Sequence, residues 1–119
     1  MDTRSKIVLA GALPAPPYTL VAARIPALTA EHCRELAAAK VEGRPLVVAL
    51  AADSFGGPYP LEEGARAQLA AAVAAVDYVV ICDQPEAERL TAAAGGAVDL
   101  ESRVGRDVIA DVLERHPPA

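Results

Sequence analysis

The strongest constraint on how this chain folds is an alternation of short, unbroken apolar runs with alanine-rich stretches of helical character. The runs are Tyr18 to Ala23 (YTLVAA), Pro45 to Ala51 (PLVVALA) and Asp77 to Cys82 (DYVVIC). A strand that is apolar at successive positions has to be covered on both faces. Between the first two runs, Thr29 is a good N-cap for a helix from Ala30 to about Lys40 (AEHCRELAAAK), with Cys33, Leu36 and Ala37 as its buried stripe and Gly43 as its stop. Between the second and third, a helix is predicted from Leu61 to Val76, with Leu61, Ala65, Leu69, Ala72, Val73 and Val76 on one face. Beyond the third run, Asp83-Gln84-Pro85 turns the chain into a helix from Glu86 to Ala94, closed by Gly95-Gly96. Ala97 to Leu100 reads as a last short strand, and Arg106 to Arg115 as a closing helix ahead of Pro117-Pro118.

Strands joined through helices of this length are joined by crossovers, so the sheet is parallel. The expectation is a small three-layer α/β/α, Rossmann-like domain over residues 18 to 116. Residues 1 to 17 form a lead-in lying over the body. It has one apolar stretch, Ile7-Val8-Leu9-Ala10, followed by Pro14, Pro16 and Pro17, which suit neither a central strand nor a helix interior.

At 119 residues there is room for one domain. Its core has to come from Ala, Val, Leu and Ile, because the chain has one Phe, three Tyr and no Trp. A net charge of −5 argues against partnership with nucleic acid or with an anionic membrane surface. Without a signal-peptide pattern or an apolar run of membrane-spanning length, the expected location is the cytoplasm. Cys33 and Cys82 make neither a disulfide framework nor a metal site.

Ligands of such sheets bind beyond the carboxyl ends of the strands. Here those ends are Arg24 to Thr29, Ala52 to Ser54 and Asp83 to Pro85. Neither a GxGxxG fingerprint nor a GxxxxGK[ST] loop is present. His32, in the first turn of a helix that follows a strand, is placed to donate to a phosphate oxygen; the commoner role for such a histidine is a solvated surface position. Asp53 either holds a ligand or caps a turn, and turn capping is the commoner job. Asp77 reads as a cap for backbone N–H groups. Arg24, Arg103 and Arg106 together suit an anion pocket, although each taken alone suits solvent.

The run from Thr19 to Cys82, a little over half the chain, resembles the nucleotidyltransferase superfamily of the cytidylyltransferase type, in particular glycerol-phosphate cytidylyltransferase and the adenylyltransferase domain of bacterial heptose-phosphate enzymes. ARAQLAAAVAAVDYVVICD, residues 65 to 83, is similar to the family's Arg-bearing helix, its Val-Asp pair and the strand after it. RPLVVALAAD, residues 44 to 53, is similar to the family's second strand. In that family a Gly-x-Phe-Asp segment leads to a His-x-Gly-His motif whose histidines contact nucleotide phosphates. Here the glycine falls on Ala23, the phenylalanine on Ile25 and the aspartate on Pro26. The first histidine falls on Thr29 and the inner glycine on Glu31, and only the second histidine is kept, as His32.

Glu31 then places negative charge where phosphates would approach. The loop SFGGPYPL lacks the family's lysine, and Ser102 and Arg103 are remnants of its last motif. The resemblance therefore implies a catalytically degenerate cytidylyltransferase-like domain with a structural, regulatory or partner-binding role, dimeric like its relatives and needing no cofactor. The alternatives are a working nucleotidyltransferase and a small-anion-binding α/β domain. The working enzyme would use Mg²⁺ with CTP or ATP, with His32 as the catalytic group and Arg24, Thr29, Asp53, Ser102, Arg103 and Arg106 as nucleotide or anion contacts.

Overall fold

The computed structural model describes residues 3–55 and 61–104. Four strands, β1 (Thr19–Ala23), β2 (Leu46–Ala51), β3 (Tyr78–Cys82) and β4 (Val98–Asp99), form one parallel sheet in the order β3-β2-β1-β4. Among the described residues four α-helices accompany them: α1 (Ala30–Ala39), α2 (Glu63–Ala71), α3 (Gln84–Ala94) and α4 (Leu100–Val104). This is the expected Rossmann-like α/β architecture. The chain builds outward from β1 to β3, then crosses back over the sheet to place β4 on the other side of β1. The direction of winding therefore reverses between β1 and β4.

Strand periodicity divides the core in two. Leu46, Val48 and Leu50 of β2 face one way, together with Val21, Ala23 and Val79, and are covered by Leu36 of α1, Ala67, Ala70 and Ala71 of α2, and Leu100. Val47 and Ala49 face the other way with Leu20, Val80 and Cys82, beneath Leu90 of α3. All six residues of β2 are buried, as its unbroken apolar run requires. The lead-in packs on the body: Val8 N–H donates to the Val79 carbonyl at 2.9 Å, Ile7 bridges Val79 in parallel, and Val8, Ala10 and Leu13 pack on the α3 side.

Several helix details depart from the sequence expectation. The buried positions of α1 are His32 and Leu36, whereas Cys33 is half-buried and Ala37 exposed. Helix α2 is shorter than predicted, because the chain leaves it in tight turns after Ala71 to enter β3. Its buried face is Arg66, Ala67, Ala70 and Ala71, so the predicted face containing Ala65, Leu69 and Ala72 is off by about one residue. Helix α3 starts two residues early, since the Asp83 carboxylate accepts from Glu86 N–H at 2.9 Å and Pro85 falls in the first turn, where its missing donor costs nothing. It ends on Gly95 with φ +77°, the left-handed conformation that glycine takes freely.

Strand β4 runs straight into α4, so Ser102 and Arg103 lie within a helix rather than ahead of one. The closing helix predicted from Arg106 lies outside the described residues. Among the described residues no helix is long and apolar enough to cross a membrane.

Candidate functional site

The site lies where β1, β2 and β4 end. Leaving β1, the chain passes through Ile25 at φ +48°, a left-handed conformation that costs a β-branched residue about 1–3 kcal/mol. Ile25 is nevertheless wholly buried, so its surroundings hold it there. The turn aims two consecutive backbone donors at one carboxylate. Arg24 N–H donates to Glu101 Oε2 at 3.0 Å, and Ile25 N–H to Glu101 Oε1 at 3.1 Å.

The third donor to that carboxylate is His32. Thr29 caps α1 as expected: its hydroxyl accepts from His32 N–H at 3.3 Å, and its own N–H donates to His32 Nδ1 at 3.2 Å. The Thr29 hydroxyl also lies 2.7 Å from Nδ1; with the Thr29 N–H donating to Nδ1, that nitrogen is assigned as the acceptor and the ring proton to Nε2. Nε2 then donates to Glu101 Oε1 at 3.3 Å. His32 is therefore a fully buried residue locked between its own helix cap and α4, and not the solvated surface histidine that is commoner at such a position. Hydrogen bonds to a charged group are worth about 1.5–3 kcal/mol each. The lower end applies here, because the Glu101 side chain keeps 26% of its exposure.

A buried cation, Arg66, braces the same end of the sheet. Arg66 of α2 donates through Nη1 to the Arg24 carbonyl at 2.7 Å, through Nη2 to Asp53 Oδ1 at 2.9 Å, and through Nε to the Leu61 carbonyl at 3.1 Å. Asp53 is thus a bracing residue. Its other oxygen accepts from Glu63 N–H at 3.3 Å, and its own N–H donates back to Glu63 at 3.0 Å, which fixes the start of α2.

Beside these groups, on the α3 side of the sheet, lies a hollow of about 180 Å³. Its lining includes the small side chains of Ala22, Ala49, Ala51 and Ala87 together with Phe55, and Arg24, Asp99 and Glu101 also line it. Cys82 lines it too; burial, with the Glu86 and Asp83 carboxylates adding to it, pushes that thiol up to about 12, so it stays protonated and unreactive.

The sequence-predicted residues separate in space. Arg24, Thr29 and His32 converge with Glu101. Arg103 lies apart from Arg24, in a groove with Glu35 and Ala39 of α1. The Ser102 hydroxyl donates to the Asp99 carbonyl at 3.0 Å. Arg106 lies outside the described residues. Glu31 does not line the hollow; the carboxylate that meets the donors is that of Glu101. Sequence reasoning missed Glu101 and the buried role of Arg66. Among the described residues no group of three or more His, Cys, Asp or Glu side chains is placed to hold a metal ion. Compared with known proteins, the chain matches no family model and no curated protein.

Proposed function

We propose that this chain is a cytidylyltransferase-like domain whose nucleotide chemistry has been lost, retained as a structural, regulatory or partner-binding module that pairs with a second copy of itself. The observation that carries the reading is the Glu101 carboxylate on the donors beyond β1. In the family the chain resembles, the first turn of the helix after β1 is where nucleotide phosphates are met. A triphosphate and Glu101 would compete for the same donors, and like charges about 4 Å apart repel by a few kcal/mol at intermediate dielectric. Asp99 at the rim adds to that repulsion, and the Arg24 guanidinium, without a partner among the described residues, does not by itself offset two carboxylates. The strand order β3-β2-β1-β4 and the kept histidine support the ancestry.

The test is thermal unfolding of the full chain with Mg²⁺-CTP and Mg²⁺-ATP, each taken into the millimolar range. The expected outcome is an unchanged melting temperature. A saturable rise that His32→Ala abolishes would replace this reading with that of a working nucleotidyltransferase.

A further inference from the structure

We propose that Glu101 is an intramolecular plug in an oxyanion pocket built by Arg24 N–H, Ile25 N–H and His32 Nε2, and that a small free carboxylate takes its place when the side chain is removed. The proposal goes beyond the loss of nucleotide chemistry and rests on the geometry alone. Three donors from two segments, the turn after β1 and the first turn of α1, meet on one pair of oxygens within 3.0–3.3 Å. Two of them are consecutive backbone groups, an arrangement that forms an anion-binding concavity. The third belongs to a side chain with no exposure at all, whose orientation is fixed from behind by Thr29.

Nothing in the local chain supplies the anion. It comes from a residue 76 and 77 positions further along, on a different element. Were the carboxylate taken away, three polar donors would lose their acceptor beside a hollow that Glu101 itself helps to line. That hollow gives a small solute a way in, and Arg24, whose guanidinium has no partner among the described residues, stands at it. A carboxylate reproduces both oxygens of the lost side chain. In the parent protein the tethered group holds the pocket at high effective concentration, so free anions do not displace it.

The experiment compares the full-length parent with Glu101→Ala in sodium formate and in sodium chloride of equal ionic strength. The variant is expected to melt below the parent in chloride. Formate is expected to raise the variant's melting temperature by about 3 °C or more at saturating concentration, and to leave the parent at its chloride value. Half-saturation falls in the millimolar to tens-of-millimolar range open to so small a ligand. In ¹H–¹⁵N spectra of the variant, the Arg24 and Ile25 amide protons move downfield as formate is added. Equal melting temperatures in formate and chloride, or amides that do not respond, overturn the proposal. If Glu101→Ala does not fold in either salt, Glu101→Gln is read by the same two amides against the parent. Upfield displacement of both supports the plug, and unmoved resonances overturn it. Nucleotide takes no part in these measurements, so this proposal and the reading of lost nucleotide chemistry can fail separately.

Discussion

Arg66 is a full positive charge with no solvent exposure, and its surroundings decide whether it stabilises or strains the molecule. Swapping an entire buried ion pair for apolar groups is often neutral, whereas removing one member leaves the other members of the network unmatched. Arg66→Met is of the second kind: it keeps the length of the side chain but takes the donors from the Arg24 and Leu61 carbonyls and from Asp53. The expected loss is about 2–4 kcal/mol in urea unfolding. Asp53→Asn keeps an acceptor at a side chain that is half exposed and is expected to lose less, about 1–2 kcal/mol. An unchanged urea midpoint for Arg66→Met would show that the guanidinium does not brace the strand ends.

At the scale of elements, the amino edge of the sheet is tied by Asp77. Its carboxylate accepts from Leu46 N–H at 2.7 Å and pairs with Lys40, joining the starts of β2 and β3 to the end of α1. Partial burial works to raise its proton affinity, but the Lys40 ammonium, the Leu46 N–H and the Lys6 charge together outweigh burial and hold it below its ordinary value of 3.8. The folded state then binds fewer protons than the unfolded state around that pH. The stabilisation is present above the ordinary carboxylate range and is lost as pH falls through the lower folded value. Asp77→Asn should therefore be less stable than the parent at about pH 6, with the gap closing toward about pH 3; a gap constant with pH would contradict it.

This capping role was legible in the sequence, and so were β1 to β3 to within a residue, because continuous apolar runs and caps are local signals. The buried face of α2 was not legible. A period count over alanines cannot tell a face containing Ala65 and Leu69 from one containing Ala67, Ala70 and Ala71, and it treats an arginine as solvated by default. Nor was Glu101, since its partners are 69 to 77 positions away and only folding brings them together.

Over the whole molecule, small side chains do two different jobs. Ala70 lies wholly buried between α2 and the sheet, where close approach leaves no room, while Ala51 faces the hollow at the strand ends. Ala70→Leu is expected to cost about 1–3 kcal/mol by overpacking. Ala51→Val adds its methyl groups to open space and is expected to unfold within about 0.5 kcal/mol of the parent. The opposite order in paired denaturation curves would mean that the hollow closes in solution.

Both margins of the sheet are also blunted. Ile7 and Val8 of the lead-in bridge β3 at Val79, and among the described residues β4, at the other margin, is only two residues long. A long bare margin invites a neighbouring chain to zip its peptide groups onto it. Here that route to polymers is narrow, so a pair of copies would have to meet through side chains on the helical layers, and its affinity would respond to surface substitutions there.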